Sequence, residues 1–151
     1  MKRRTDIEGL RAIAVLAVLL FHAGVPGVGG GYVGVDVFFV VSGFLITSLL
    51  VAEKTNTGTV SLGAFYARRA RRILPVSALV AVATLIASWI WLEPLRLRSL
   101  SNDVLAVALF SSNFVFANRG ADYLQSALPP SPLQHYWSLA VEEQFYVVWP
   151  A

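Results

Sequence analysis

Arg11 and His22 stand eleven residues apart in the apolar stretch "DIEGLRAIAVLAVLLFH". At 100° per residue, eleven steps end about 20° past three full turns. Both side chains therefore share one helical stripe, roughly 16 Å apart along the axis. A polar stripe on an apolar helix must face protein or water, not lipid. Two kinds of role fit. Arg11 can snorkel to headgroups while His22 closes a helix end. Alternatively His22 does chemistry, since a neutral imidazole takes a proton from an attacking hydroxyl near pH 7. Spacing alone does not choose between them.

Three further groups carry ionisable side chains into apolar surroundings. Asp36 lies in "YVGVDVFFVVSGFLIT". A lone carboxylate at the centre of a span costs about 2.5 to 3.5 kcal/mol on the permissive insertion scale. It needs a partner or a wet cavity, with His22 or an arginine the obvious choices; the plainer reading is an interfacial cap on the second helix. "FYARRARRILP" sets Arg68, Arg69, Arg71 and Arg72 just before a third apolar run. The positive-inside rule explains basic residues there, but not four arginines without a lysine. Guanidinium is the better fork for phosphate or carboxylate, so this cluster suits a lipid headgroup or the phosphates of a soluble donor such as coenzyme A. Arg68 and Arg72 are i, i+4 and would cluster on a helix. Finally, "HYWSLAVEEQFYVVWP" places Ser138 and Glu142 on one face, with Glu143 about 100° away. An interfacial aromatic belt explains the Tyr and Trp residues but not two adjacent carboxylates. One can pair with an arginine while the other serves as acid, base or orienting group.

The elements that must position these groups are apolar helices. The chain has 151 residues, 56% hydrophobic and 14% charged, with no Cys. Its mean hydropathy is +0.65 and its pI about 9.6. This excludes a disordered segment, a coiled coil, a disulfide framework, thiolate metal sites and a Cys nucleophile. The basic residues sit in blocks beside apolar runs, which fits a bilayer protein rather than a nucleic-acid binder. Four stretches approach the roughly 20 residues of a spanning helix. They are Ile7–Ala23, Tyr32–Ala52, Ile73–Leu92 and Val104–Ala117, and a fifth begins near Trp137. The fourth reaches only about 21 Å as a helix, so it is a short tilted span or a re-entrant segment. The last run stops inside apolar sequence, so the expectation is the front part of a longer membrane protein.

Lys2, Arg3 and Arg4 precede a run that resembles a signal peptide. Arg11 inside it, Asp6 and Glu8 before it and the absence of an A-x-A site favour a retained first helix. Lys2, Arg3, Arg4, Lys54, Arg68, Arg69, Arg71 and Arg72 would share one side of the membrane, against Arg96 and Arg98 on the other. The amino terminus is thus expected in the cytoplasm. "GVPGVGGGYVG" lacks the phosphate-binding fingerprint and reads as a tight turn at the outer edge. "SALPPSPLQHYW" is a Pro-rich loop that forbids helix until about Tyr136.

Taken in order, "DIEGLRAIAVLAVLLFH", "GYVGVDVFFVVSGFLIT", "FYARRARRILP", "SSNFVFA" and "HYWSLAVEEQFYVVWP" resemble the acyltransferase-3 family of integral membrane O-acyltransferases. The resemblance covers essentially the whole chain and only the N-terminal portion of the family's domain. It implies an all-α, polytopic transmembrane helix bundle, truncated here to four apolar segments and the start of a fifth. It implies a multi-pass protein of the bacterial plasma (inner) membrane. Such an enzyme moves an acyl group, acetyl foremost, from acyl-CoA to a hydroxyl of a cell-surface carbohydrate such as O-antigen, peptidoglycan or exopolysaccharide. The residues carried over as catalytic are His22, Asp36, Glu142 and Glu143, with His22 the general base, oriented by Asp36 or Glu142. Those carried over for substrate binding are Arg11, Arg68, Arg69, Arg72, Asn113 and Ser138. Arg71 falls where the family is usually apolar and is given no role. No metal or bound cofactor is expected, acetyl-CoA or another acyl-CoA being the donor substrate, and the partners are the bilayer, the donor and a glycan acceptor, without nucleic acid. Intramembrane His, Asp and Glu also suit a proton-coupled secondary transporter or flippase. A non-catalytic membrane scaffold is a third reading.

Overall fold

The computed structural model describes residues 4–122 and 129–150, all of them helix, turn or irregular backbone with no strand. Lys2 and Arg3 of the basic start, and residues 126–128 of the Pro-rich loop, lie outside the described residues. The elements are α1 (Thr5–His22), a short 3-10 turn (Gly31–Val33), α2 (Gly34–Thr57), α3 (Leu62–Trp91), α4 (Pro94–Ala108), α5 (Ser112–Ala121) and α6 (Tyr136–Val148). They form two compact units, Met1–Val60 and Ser61–Ala151.

The first unit is an antiparallel hairpin of α1 and α2. Ala14 and Ala17 of α1 meet Gly34 and Gly31 so closely that a Cβ on either glycine would collide with the opposing backbone carbonyl. Small residues let the two backbones approach. Arg11, Ala14, Val18 and His22 fall on one stripe by their 3-4-4 spacing. Ala14 and Val18 lie against Gly34, and the Arg11 guanidinium sits 5.1 Å from the centre of the Phe38 ring. The stripe thus faces protein from Arg11 to Val18, while His22 at its end is exposed. The glycine-rich connector has two separate uses. Gly24 and Gly27 take positive φ of 68° and 86° in the turn, whereas Gly31 and Gly34 supply closeness. At the head of α1, a hydrogen bond from Arg4 to Asp6, at 2.7 Å, holds that carboxyl down at about 2.

In the second unit α6 runs antiparallel to α3. Tyr136 Oη donates to the Ser77 carbonyl at 2.6 Å, Arg69 meets Glu143 at 3.0 Å, and Tyr66 Oη donates to the Val147 carbonyl at 3.1 Å. The paired numbers rise on one helix as they fall on the other. Leu100, Val107, Phe116, Leu133 and Tyr136 form the core between α4, α5 and α6. Beneath it Ser112, fully buried, donates to the Tyr136 carbonyl.

Two helical stretches are long and apolar enough to cross a membrane, Gly31–Thr57 and Leu62–Trp91. Trp89, Trp91 and Leu79 of the latter are largely exposed, as a lipid-facing surface requires. The other expected spans differ. α1 has 18 residues, among them Asp6, Glu8 and Arg11, and is not one of the two. The stretch Val104–Ala117 is not a single helix. It divides into the end of α4 and the start of α5 around Phe110, which adopts φ 49°. The arginine block precedes the apolar run and is helical, as its i, i+4 spacing suits, because α3 begins at Leu62 with the Ser61 hydroxyl accepting from the Ala64 amide. α6 begins at Tyr136, where the prolines allow it.

Gly34→Ala places a methyl group against the Ala14 carbonyl and should destabilise the full-length protein by about 1–3 kcal/mol. Gly29→Ala meets nothing within 4 Å. Thermal unfolding in detergent should show a lowered midpoint for the first variant and little change for the second.

Candidate functional site

His22 ends α1 and is exposed. Its Nδ1 lies 2.8 Å from the Val18 carbonyl oxygen, one helical turn back. A carbonyl only accepts, so Nδ1 carries the proton and, in the neutral ring, Nε2 keeps its lone pair. Phe21 stands edge-on to the imidazole at 5.3 Å and to Tyr32 at 5.7 Å, walling one side. The hairpin thus delivers a tautomerically defined imidazole at its turn end.

Asp36 is not brought to His22. The register that pairs Gly34 with Ala14 and Phe38 with Arg11 sets Asp36 level with about Ala12, ten residues and roughly 15 Å below His22. No hydrogen bond or ion pair joins the two among the described residues. Asp36 sits exposed in the first turn of α2, where a carboxylate complements the free N–H groups of the helix start. The expectation that Asp36 orients the imidazole fails because a hairpin this tight leaves no freedom to slide.

The second unit gathers the acidic pair. Glu143 accepts from Arg69 Nη2 at 3.0 Å, both side chains being less than one-fifth exposed. The Arg69 guanidinium also lies over the Tyr146 ring, 3.3 Å from its centre. Tyr146, nearly fully buried, donates its hydroxyl to Glu142. One arginine therefore stands between two carboxylates, in direct contact with one and separated from the other by a phenol. Of the two sequence alternatives, Glu143 is the paired carboxylate. The acidic pair lies toward the arginine-bearing end of α3, because α6 runs that way.

Asn113 is engaged beside it. Its Nδ2 donates to Gln144 Oε1 at 3.2 Å, and Gln144 Nε2 returns a bond to Asn113 Oδ1 at 2.9 Å. The same Nε2 donates to the Phe110 carbonyl at 2.7 Å. Gln144 thereby ties α6 to the break between α4 and α5. Ser138 donates to the His135 carbonyl at 3.2 Å, and shares its face with Glu142 without touching it. Arg72 is exposed and makes no hydrogen bond or ion pair among the described residues, and Arg68 is exposed one turn before it. Arg69 is thus a structural partner, while Arg72 presents its charge to solvent.

Sequence reasoning missed Tyr146 and Gln144. Tyr146 was absorbed into the aromatic belt, although its i, i+4 spacing from Glu142 was the available signal. Gln144 is the third consecutive polar residue in an apolar helix, a cluster that the Glu142–Glu143 pair masked. No group of three or more metal-ligating side chains occurs among the described residues.

Breaking the Arg69–Glu143 pair from either side strands a partly buried charge. Arg69→Gln and Glu143→Gln should each destabilise by about 1–3 kcal/mol. The double variant should lose less than the sum, with a coupling of about 0.5–3 kcal/mol. Thermal unfolding of the four proteins in one detergent measures this cycle.

Comparison with known proteins identifies the family of the chain. Peptidoglycan O-acetyltransferase OatA of Listeria monocytogenes is 41% identical over 146 residues, covering 97% of this chain and 23% of that protein. YrhL of Bacillus subtilis, provisionally named a peptidoglycan O-acetyltransferase, is 40% identical over 145 residues, 95% of this chain and 23% of its own length. The chain thus spans about a quarter of the length of these relatives. No solved structure matches it. The pattern of the acyltransferase domain matches residues 4–151, a stretch that takes in the imidazole of α1, the arginines of α3 and the acidic pair of α6. The chain belongs to the acyltransferase domain family.

Proposed function

We propose that the protein is a membrane-bound O-acyltransferase of the bacterial inner membrane, with its amino terminus in the cytoplasm. It moves an acyl group, acetyl foremost, from acyl-CoA to a hydroxyl of a cell-surface carbohydrate. The observation that carries this reading is the bond between His22 Nδ1 and the Val18 carbonyl. It leaves Nε2 of an exposed imidazole as the proton acceptor, which is what a general base for a hydroxyl nucleophile requires. The names of the relatives, which are O-acetyltransferases, support the acyl group and the carbohydrate class.

In this scheme Nε2 takes the proton as the acceptor oxygen attacks the thioester carbonyl. The carbon–sulfur bond breaks, and the proton passes to the departing thiolate. Arg72, with Arg68 one turn away, meets the donor's phosphates, a role for which guanidinium forks are suited. Arg69 supports that end of α3 by holding Glu143. Glu142, bound through the Tyr146 hydroxyl, and Ser138 line the same side of α6. Arg11 is held in the hairpin against Phe38, and Asn113 acts through Gln144.

The test is transfer of labelled acetyl groups from acetyl-CoA by the purified full-length protein. His22→Ala should lower transfer about 100-fold or more with expression intact. Arg72→Gln should raise the KM for acetyl-CoA several-fold with a smaller change in kcat. Normal transfer by His22→Ala overturns the assignment of the base. Solute flux by the unaltered protein in reconstituted vesicles that His22→Ala abolishes, with no acetyl transfer by either, would replace the enzyme by a transporter.

A further inference from the structure

The second unit contains an open cleft of about 460 Å³ that the proposed chemistry does not use. It lies at the Leu92 end of α3, away from the arginine block. α4 contributes Arg96, Ser99 and Asp103, whose i, i+3, i+7 spacing puts them on one face. Arg119 and Phe116 come from α5, and Gln134 from the Pro-rich loop.

Among the described residues, the charges in this cleft do not cancel. Asp103 is almost completely buried, and its Oδ1 lies 2.5 Å from Arg119 Nη2, so those two neutralise each other. The Arg96 side chain makes no hydrogen bond or ion pair among the described residues. Among the described residues, Arg96 therefore brings a guanidinium without a carboxylate partner to the cleft, flanked by a hydroxyl, an amide and an aromatic ring. A free guanidinium fork reads a carboxylate in two-point fashion. The hydroxyl of Ser99 and the amide of Gln134 both donate and accept, as sugar hydroxyls require. Phe116 and the neighbouring prolines supply apolar surface for a ring face. The volume lies within the range of small-molecule sites.

We infer that this cleft is a docking subsite for an acidic sugar, with Arg96 on the carboxylate and Ser99 and Gln134 on ring hydroxyls. Asp103 is a positioning residue that holds Arg119 against the wall. In the orientation proposed above, the Leu92 end of α3 faces outward, so the subsite lies on the side from which an exported glycan arrives. Its use in presenting an acceptor rests on the acyltransferase reading; binding itself does not.

The experiment uses the full-length protein in nanodiscs, titrated with glucuronic acid, glucose and inorganic phosphate. Glucuronic acid should bind at least tenfold more tightly than glucose. Arg96→Gln should erase that difference, and Arg96→Lys, which keeps the charge and loses the fork, should restore part of it. Equal binding of glucose and glucuronic acid overturns the inference, as does a preference unchanged in Arg96→Gln. Phosphate binding as strong as glucuronic acid also overturns it, leaving a bare anion site. Arg96-dependent binding of glucuronic acid by a full-length protein that transfers no acetyl group upholds the subsite and removes the acyltransferase reading instead.

Discussion

A guanidinium held 3.0 Å from a carboxylate, Arg69 against Glu143, is the contact on which the second unit turns. Neither helix tolerates its charge alone, because a stranded ion in apolar surroundings costs several kcal/mol. Pairing them selects one register. Once Arg69 faces Glu143, Tyr136 reaches Ser77 and Tyr66 reaches Val147 in the same antiparallel sequence. The neighbouring position then follows from helix geometry. Gln144 is turned about 100° from Glu143, toward α5, where Asn113 and the Phe110 carbonyl receive it. Two adjacent residues of α6 thus address two different neighbours.

The first unit achieves its register by the opposite means. Gly31 and Gly34 offer no side chain, and the α1 backbone fills the space. Close approach turns the stripe of Arg11, Ala14, Val18 and His22 into a seam. Arg11 is consumed within it, against the Phe38 ring, whereas His22 lies past the start of α2 and stays exposed. The seam fixes the imidazole by ending before it. The same register sets Asp36 down the hairpin from His22, so the two are not brought together.

Much of this organisation was legible in residue order. The 20° offset between Arg11 and His22 placed both on one helical stripe, and the prolines before Tyr136 marked the start of α6. The pairing of one of two adjacent glutamates with an arginine followed from the cost of leaving both charged. What was not legible has physical causes. The division of Val104–Ala117 depends on Phe110 at φ 49°, a backbone state that a bulky residue rarely adopts and hydropathy does not register. The carbonyl turned out by that break is the acceptor of Gln144, so the break and the missed residue are one feature. The glycines were read as turn formers because positive φ is their commonest use. Only the opposing helix reveals that Gly31 and Gly34 serve closeness instead.

The choice of arginine at position 69 of α3 has a reason beyond charge. At position 69 one side chain must hydrogen-bond Glu143 and lie flat over the Tyr146 ring. A planar delocalised cation does both at once, while a lysine ammonium is a compact, strongly hydrated point charge suited to neither stacking nor burial. The phenol beneath that guanidinium is in turn the donor that holds Glu142. Replacing Arg69 by lysine would keep the positive charge and still uncover Tyr146, loosening Glu142 through a residue it never touches. Arg72, exposed on the same helix, faces no such packing demand. Within one block of sequence, position 69 is thus a structural clasp, while position 72 carries its charge at an exposed site.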